Sequence, residues 1–342
     1  MLTLYSDAHL THQGTEWVNG EQHPSVESPA RAANVLASIR AAALGECQLA
    51  ERHDSRAYMT VHSERYVRFL ENAWRIWQED GRTHHALPLV WPARGATSDV
   101  EPAHIEGKLG FYAADAFAAI TPGTWDGART SADVALSAMR VVAQGASSAF
   151  ALCRPPGHHA SREAMGGYCY LNNAALAAQG FIDSGASRVA ILDIDYHHGN
   201  GTQSIFEARD DVLFVSIHGD TDKSYPYFYG HAHERGIGDG LGYTLNLPLP
   251  HGTGWADYRA ALTHACDRIA AYAPDAVVIS LGVDTFKKDP ISRFTMESED
   301  YLSIGRAISK IARSTLFVLE GGYCVEDIGV NVSNTLIGFS NG

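Results

Sequence analysis

The chain has few cysteines and no arrangement of them that builds a covalent or metal framework. Its 342 residues include five: Cys47, Cys153, Cys169, Cys266 and Cys324. The number is odd, the spacing is scattered and no pair stands as Cys-x-x-Cys, which argues against a disulfide framework or a cysteine zinc site. Long apolar runs are also missing. None reaches 18 residues, so no membrane-spanning helix is expected. The opening MLTLYSDAHL lacks a basic segment followed by a long apolar one, so no signal peptide is expected and the cytoplasm is the expected compartment. Positive charge is scarce: 26 basic against 39 acidic side chains leave a formal charge of −13. That balance disfavours nucleic acid and anionic membranes as partners and attracts cationic ligands. No internal repeat is present. The glycines at 236, 238, 240 and 242 follow no buried strand, so they read as a loop rather than a phosphate cradle.

What is present is an apolar, patterned chain. Hydrophobic residues make up 45%, enough for a large core and too many for a disordered chain. Runs at Ala149–Cys153, Arg188–Asp193, Val212–His218, Ala276–Asp284 and Thr315–Glu320 read as strands buried on both faces. Helical periodicity fits Pro29–Ala43, Glu64–Gln78, Ala128–Val142, Asn172–Asp183, Trp255–Ala273 and Asp300–Arg313. Alternating strands and helices imply an α/β fold with a parallel sheet covered on both sides. The segment Gly81–Gly110 breaks the rhythm and reads as a long functional or interaction loop.

Polar residues gather where these strands end. The first run leads to His158 and His159, the second to Asp193, Asp195 and His197, the third to His218, the fourth to Asp284, and the fifth to Glu320 and then Gly-Gly-Tyr323. Ligands of open parallel sheets bind at the carboxyl ends of the strands, so the five ends define one candidate site. Asp195, His197 and Asp284 form a three-ligand set that leaves room for water and substrate, as a catalytic zinc requires. The tandem imidazoles of His158 and His159 suit general acid–base work. Tyr323 on its glycine turn suits a donor to a developing oxyanion. Asp193 and Asn200 lie near enough in sequence to orient the imidazoles. Together these parts suit metal-assisted amide hydrolysis. His9, His12, His23, His84, His85, His231 and His233 lack such support and read as surface residues; Cys153 and Cys169 read as packing.

RPPGHHA, GGYCYLNNAA, LDIDYHHGNGT, SLGVDTF and LEGGY stand in the order found in the arginase–deacetylase superfamily. The chain resembles its histone-deacetylase-like branch, and within it the acetylpolyamine amidohydrolases. The resemblance implies one catalytic domain over residues 1–342 with an eight-stranded parallel sheet flanked by helices. It implies a zinc ion on Asp195, His197 and Asp284, His158 and His159 as the catalytic pair, and Tyr323 as the group polarising the scissile carbonyl. It also implies a structural potassium ion on Asp193, the Ser216 hydroxyl and backbone oxygens of Asp195, His197 and Ile217. Tyr168 and Tyr225 match the two aromatic walls of an acyl tunnel, with Gly167 beside them. Tyr225 stands where phenylalanine is frequent, and Asn200 where the class I enzymes often carry aspartate. His198-Gly199 after His197, and Thr285-Phe286 after Asp284, lack the carboxylates of a two-manganese arginase site.

The substrate implied is a small acetylated amine, an N-acetylated polyamine above all. The Gly81–Gly110 segment matches an insertion that builds a homodimer and narrows the tunnel. Glu16 and Glu106 match acidic positions near its mouth, where a carboxylate favours a cationic amine. An acetyl-lysine peptide and an uncharged small-molecule amide remain the alternative substrates.

Overall fold

Strands form here where β-branched and large apolar residues run unbroken, because such strands are buried on both faces. The structure, a computed structural model, describes residues 1–18, 20–93, 99–311 and 314–342. In chain order the elements are β1 (Leu2–Tyr5), β2 (Thr15–Val18), β3 (Glu21–Pro24), α1 (Pro29–Ala41), β4 (Cys47–Leu49), α2 (Glu64–Glu79), α3 (Ile105–Phe111), α4 (Thr124–Ala143), β5 (Ser148–Ala151), α5 (Asn173–Asp183), β6 (Val189–Asp193), α6 (Asn200–Phe206), β7 (Val212–Gly219), β8 (Thr244–Leu249), α7 (Trp255–Tyr272), β9 (Ala276–Leu281), α8 (Asp300–Ile308), β10 (Thr315–Leu319) and α9 (Ile328–Ser340).

Eight strands make one sheet in the order β4-β1-β5-β10-β9-β6-β7-β8, and every neighbouring pair is parallel. The five strands expected from the sequence stand side by side at positions three to seven of that order. The two on one edge and the last on the other are short or only partly buried, so their patterns are weak. β2 and β3 form a separate antiparallel hairpin.

Side chains alternate across the sheet, and each face has its own core. On one face Ala149, Ala151, Ile191, Phe214, Val278 and Val318 pack under α2, α4 and α5. On the other, Phe150, Leu192, Val215, Ile279 and Phe317 pack under α1, α7, α8 and α9. α2 shows how the sequence directs this burial. Ser63 caps it through the Tyr66 amide, and Tyr66, Val67, Phe69, Leu70, Ala73 and Trp77 form its buried stripe. Asn172 likewise caps α5 by accepting from the Ala175 amide at 2.9 Å.

Several boundaries differ from the sequence expectation. α4 begins at Thr124, four residues before the expected start; its first turn, Thr124-Trp125-Asp126-Gly127, has no alanine and exposes Asp126, so it lacks the apolar pattern of the rest of the helix. The helix expected to reach Arg313 ends at Ile308; residues 312 and 313 lie outside the described residues. The Gly81–Gly110 segment, expected to be a loop, contains α3, whose Ile105 and Leu109 are buried while its two glycines mask the helical pattern. Residues 94–98 of that segment lie outside the described residues.

Candidate active site

The carboxyl ends of β5, β10, β9 and β6 are consecutive in the sheet, so loops distant in sequence meet there. β6 and β9 pair directly, with Asp193 opposite Ser280. Just beyond that pairing, ligand atoms of Asp195, His197 and Asp284 lie within 4.8 Å of one another, all from buried residues. His197 Nδ1 is 2.8 Å from Asp284 Oδ2 and 3.4 Å from Asp195 Oδ1. Burial and the neighbouring Asp195 push the Asp284 carboxyl well above the usual range. Burial opposes ionisation of Asp195 too, but His158 and His197 hold its carboxyl low. Among the described residues neither carboxylate is ion-paired to lysine or arginine. Two buried carboxylates and one imidazole, with no lysine or arginine between them among the described residues, fit a divalent metal ion.

The surrounding backbone keeps this cradle open. A Cβ on Gly282 would come within 2.1 Å of Asp195 Oδ2, and one on Gly321 within 2.4 Å of the same atom. Gly321 N–H donates to Asp195 Oδ2 at 2.7 Å, and Tyr196 N–H donates to Asp284 Oδ1 at 2.7 Å. The glycines therefore let the main chain approach and orient the carboxylates.

The tandem histidines have different environments. His158 Nδ1 donates to Asp193 Oδ2 at 2.9 Å. Burial works against charge on this ring, yet Asp193 and Asp195 carry its pKa up to about 10. His159 Nδ1 donates to Asn200 Oδ1 at 2.7 Å, which leaves its Nε2 with a lone pair. Burial, the charge on His158 and the nearby His197 hold the His159 pKa far below 6.5. The two rings are thus shifted in opposite directions, His158 towards the cation and His159 towards the neutral form, although they are adjacent in sequence.

Tyr323 follows Gly321-Gly322, and Gly322 has φ +129°, a backbone conformation that L side chains rarely adopt. Burial raises the Tyr323 pKa well above 10, against the pull of Arg31, whose guanidinium lies 4.7 Å from the ring centroid. The phenol is therefore held as a proton donor.

A cavity of about 490 Å³ opens onto these groups. Its lining joins His159, His197 and Tyr323 to Tyr168, Tyr225 and Gly167, the positions matched to the walls of an acyl tunnel, and to Glu16, Trp17, Phe117 and Tyr227. The β2–β3 hairpin supplies Glu16, which is buried and accepts from the Tyr168 hydroxyl at 2.7 Å and the Val26 amide at 3.0 Å. Glu106 does not line the cavity. It lies exposed on α3 and pairs with Arg82 at 2.7 Å. Ser216 and Ile217 are buried on β7, and Ser216 stands opposite Asp193 across the sheet.

Two of the histidines read as surface residues are buried. The main-chain oxygens of His9 and His12 receive the Arg154 guanidinium at 2.6 and 2.9 Å, which draws that segment inward. No periodic pattern in the sequence reports such a contact. Cys153 and Cys169 are buried, as packing residues would be.

Three other groups were given no role in the sequence reading. Glu320 is buried, and its Oε2 accepts from the amides of Gly157 at 2.7 Å and His158 at 3.1 Å, fixing the backbone under the tandem pair. Burial raises its pKa to about 7. Glu27 and Arg31 form a buried ion pair at 2.7 Å, and Arg31 Nε donates to the Gly322 oxygen at 2.6 Å beneath the tyrosine turn. The strand-end position of Glu320 was visible in the sequence; the partners of Glu27 and Arg31 were not.

A histone deacetylase domain model matches residues 23–338. The chain is 54% identical over 340 residues to acetylpolyamine amidohydrolase 2 of Pseudomonas aeruginosa, covering 99% of this chain and 98% of that one. It is 45% identical over 339 residues to the acetylpolyamine amidohydrolase of Mycoplana ramosa, with 99% of each covered. The crystal structure of an acetylpolyamine aminohydrolase from Burkholderia pseudomallei aligns with a TM-score of 0.94 at 37% identity, over 99% of this chain and 98% of that one. Matched in sequence and in fold along nearly its whole length, the chain belongs to the histone deacetylase family, in its acetylpolyamine amidohydrolase group.

Proposed function

We propose that the chain is a zinc-dependent amidohydrolase that releases acetate from N-acetylated polyamines and similar small acetylated amines. The observation that carries the substrate class is Glu16: a buried carboxylate on the cavity wall, held by Tyr168, where the distal ammonium of a linear amine would be attracted. The full-length relatives named acetylpolyamine amidohydrolases support the same reading.

Asp195, His197 and Asp284 would hold the zinc ion, which when bound polarises the substrate carbonyl and makes the attacking water more acidic. His159 serves as the base. Its Nδ1–H is engaged by Asn200, so Nε2 takes the proton of the water and passes it to the leaving nitrogen. Tyr323 donates its phenolic proton in a hydrogen bond to the carbonyl oxygen as that atom gains charge. His158, kept protonated by Asp193, supplies fixed positive charge beside the site. Tyr168 and Tyr225 flank the alkyl chain and exclude water from it.

Asp193 and Ser216, adjacent across β6 and β7, support a structural potassium site with the main-chain oxygens of Asp195, His197 and Ile217; activity restored by potassium but not by sodium after dialysis is the expected result. Exposed Leu89, Val90, Trp91 and Val100 support a homodimer built through residues 81–110, and sedimentation at twice the chain mass is expected. Five free cysteines accord with a reducing cytoplasm.

The deciding experiment compares kcat/KM for acetylputrescine, an acetyl-lysine peptide and an uncharged acetamide. The acetylated diamine is expected to be the best of the three, and Glu16→Gln to raise its KM by about 10-fold, as loss of a recognising charge does. Turnover of the peptide alone would assign a peptide deacylase. Indifference to Glu16→Gln would assign an uncharged substrate.

A further inference from the structure

The two aromatic walls of the cavity are bound to each other through a carboxylate that does not line it. Asp115, half-buried after α3, accepts from the Tyr225 hydroxyl at 2.5 Å. It also accepts from the Gly167 amide at 3.0 Å and from the Phe117 amide at 2.7 Å. Three separate segments of the cavity lining therefore meet on one side chain. The Phe117 ring completes the junction by packing edge-on against both Tyr168 and Tyr225, at centroid distances of 6.1 and 6.0 Å.

The segment held by Asp115 needs holding. Gly167 and Tyr168 have φ values of +50° and +66°, and Tyr168 is not a glycine, so its backbone is in a sparsely populated region. A Cβ on Gly167 would lie 2.4 Å from the His159 ring and 2.9 Å from the Tyr225 hydroxyl. The wall is thus packed against both His159 and the opposite wall, and the hydrogen bond from the Gly167 N–H to Asp115 fixes it there. A phenylalanine at 225 would have no hydroxyl to give this carboxylate.

We propose that Asp115 is a specificity-determining positioning residue: by tying Tyr225 to the Gly167–Tyr168 turn, it sets the bore of the cavity and restricts it to slender, unbranched acetylated amines. This rests on the reading of the cavity as the site of an acetylated amine. Asp115 acts through the two tyrosines.

The test uses two acetylated diamines of equal charge that differ in girth, acetylputrescine and mono-acetylated para-xylylenediamine, with Tyr225→Phe, Asp115→Asn and the double variant. Each single variant is expected to raise the ratio of kcat/KM for the aromatic over the linear substrate by about 10-fold, within the range a pocket change of this size gives. The double variant is expected to show no more than the larger single effect, because both changes remove the same bond. Equal losses on both substrates, with the ratio unchanged, would overturn the proposal, as would additive effects.

Hydrogen exchange decides independently of turnover. Segments 165–169 and 224–229 are expected to exchange faster in Tyr225→Phe, which loses only a hydroxyl, while the central strands do not change. Unchanged exchange in both segments overturns the latch. A wild-type chain inactive on both substrates would instead count against the acetylated-amine reading, with the exchange data still deciding the latch.

Discussion

Two residues of one type, adjacent in the chain, are shifted in opposite directions: Asp193 and Asp195 favour the cation on His158, whereas burial, His158 and His197 disfavour it on His159. His158 faces the Asp193 carboxylate and His159 faces the Asn200 amide oxygen, at 2.9 and 2.7 Å. His159→Ala is expected to lower kcat by at least about 10²-fold, the effect of removing a general base. Tyr323→Phe is expected to cost about 10²–10³-fold in kcat, the scale of an oxyanion donor; a change confined to KM would make it a binding residue. The acid limb of kcat/KM follows from the sign of the shift. A base must be neutral, and the His159 pKa is held far below 6.5, so activity is retained at pH 6.5 and is lost only as the pH falls further. In Asp193→Asn the cation on His158 is no longer stabilised, its repulsion of His159 weakens, and the acid limb is expected to move to higher pH. A limb that stayed in place or moved lower would detach His159 from this pair.

At the scale of elements, the site depends on where strands stop. β9 ends at Leu281 and β10 at Leu319, and a glycine follows each within two residues. These glycines let the chain pass against the Asp195 carboxylate, where a Cβ on Gly282 would be 2.1 Å from Oδ2. Gly282→Ala is expected to weaken metal binding by about 10–100-fold, as misplacing a ligand's support does. Metal content after dialysis against a chelator measures this directly. Full retention of metal would show that the Asp195 side chain can move aside without cost. The sequence showed where these strands end, because apolar runs give way abruptly to charged residues. It gave less sign of α3, where glycines interrupt the pattern, or of the β2–β3 hairpin that carries Glu16.

At the scale of the whole molecule, the tyrosine turn is anchored to the N-terminal part of the chain through charges with almost no access to water. Glu27 pairs with Arg31 at 2.7 Å and with Arg154 at 2.9 Å; Arg31 reaches the Gly322 oxygen, and Arg154 reaches the oxygens of His9 and His12. These contacts join α1, the segment after β5 and the segment after β10 across the sheet edge. Glu27→Ala would leave two buried guanidinium groups without their counter-ion, and a destabilisation of about 3–5 kcal/mol in chemical denaturation is expected. A loss below about 1 kcal/mol, the value of an exposed pair, would mean that water or another acceptor replaces the carboxylate.

Residue chemistry and local pattern determined a large part of this protein. Continuous apolar runs set the central strands, since only a sheet covered on both sides buries Val, Ile and Leu in unbroken sequence. The charged residues after those runs marked the metal triad, the tandem histidines and Tyr323, because strand ends on one sheet edge must be neighbours. Tertiary structure decided what depends on the meeting of distant segments. It paired Glu106 with Arg82, buried His9 and His12 around Arg154, and brought Asp115 to the junction of two walls. Periodicity reports which face of an element is apolar. It carries no information about which loop a carboxylate will reach, and that choice is made when the helices and sheet pack.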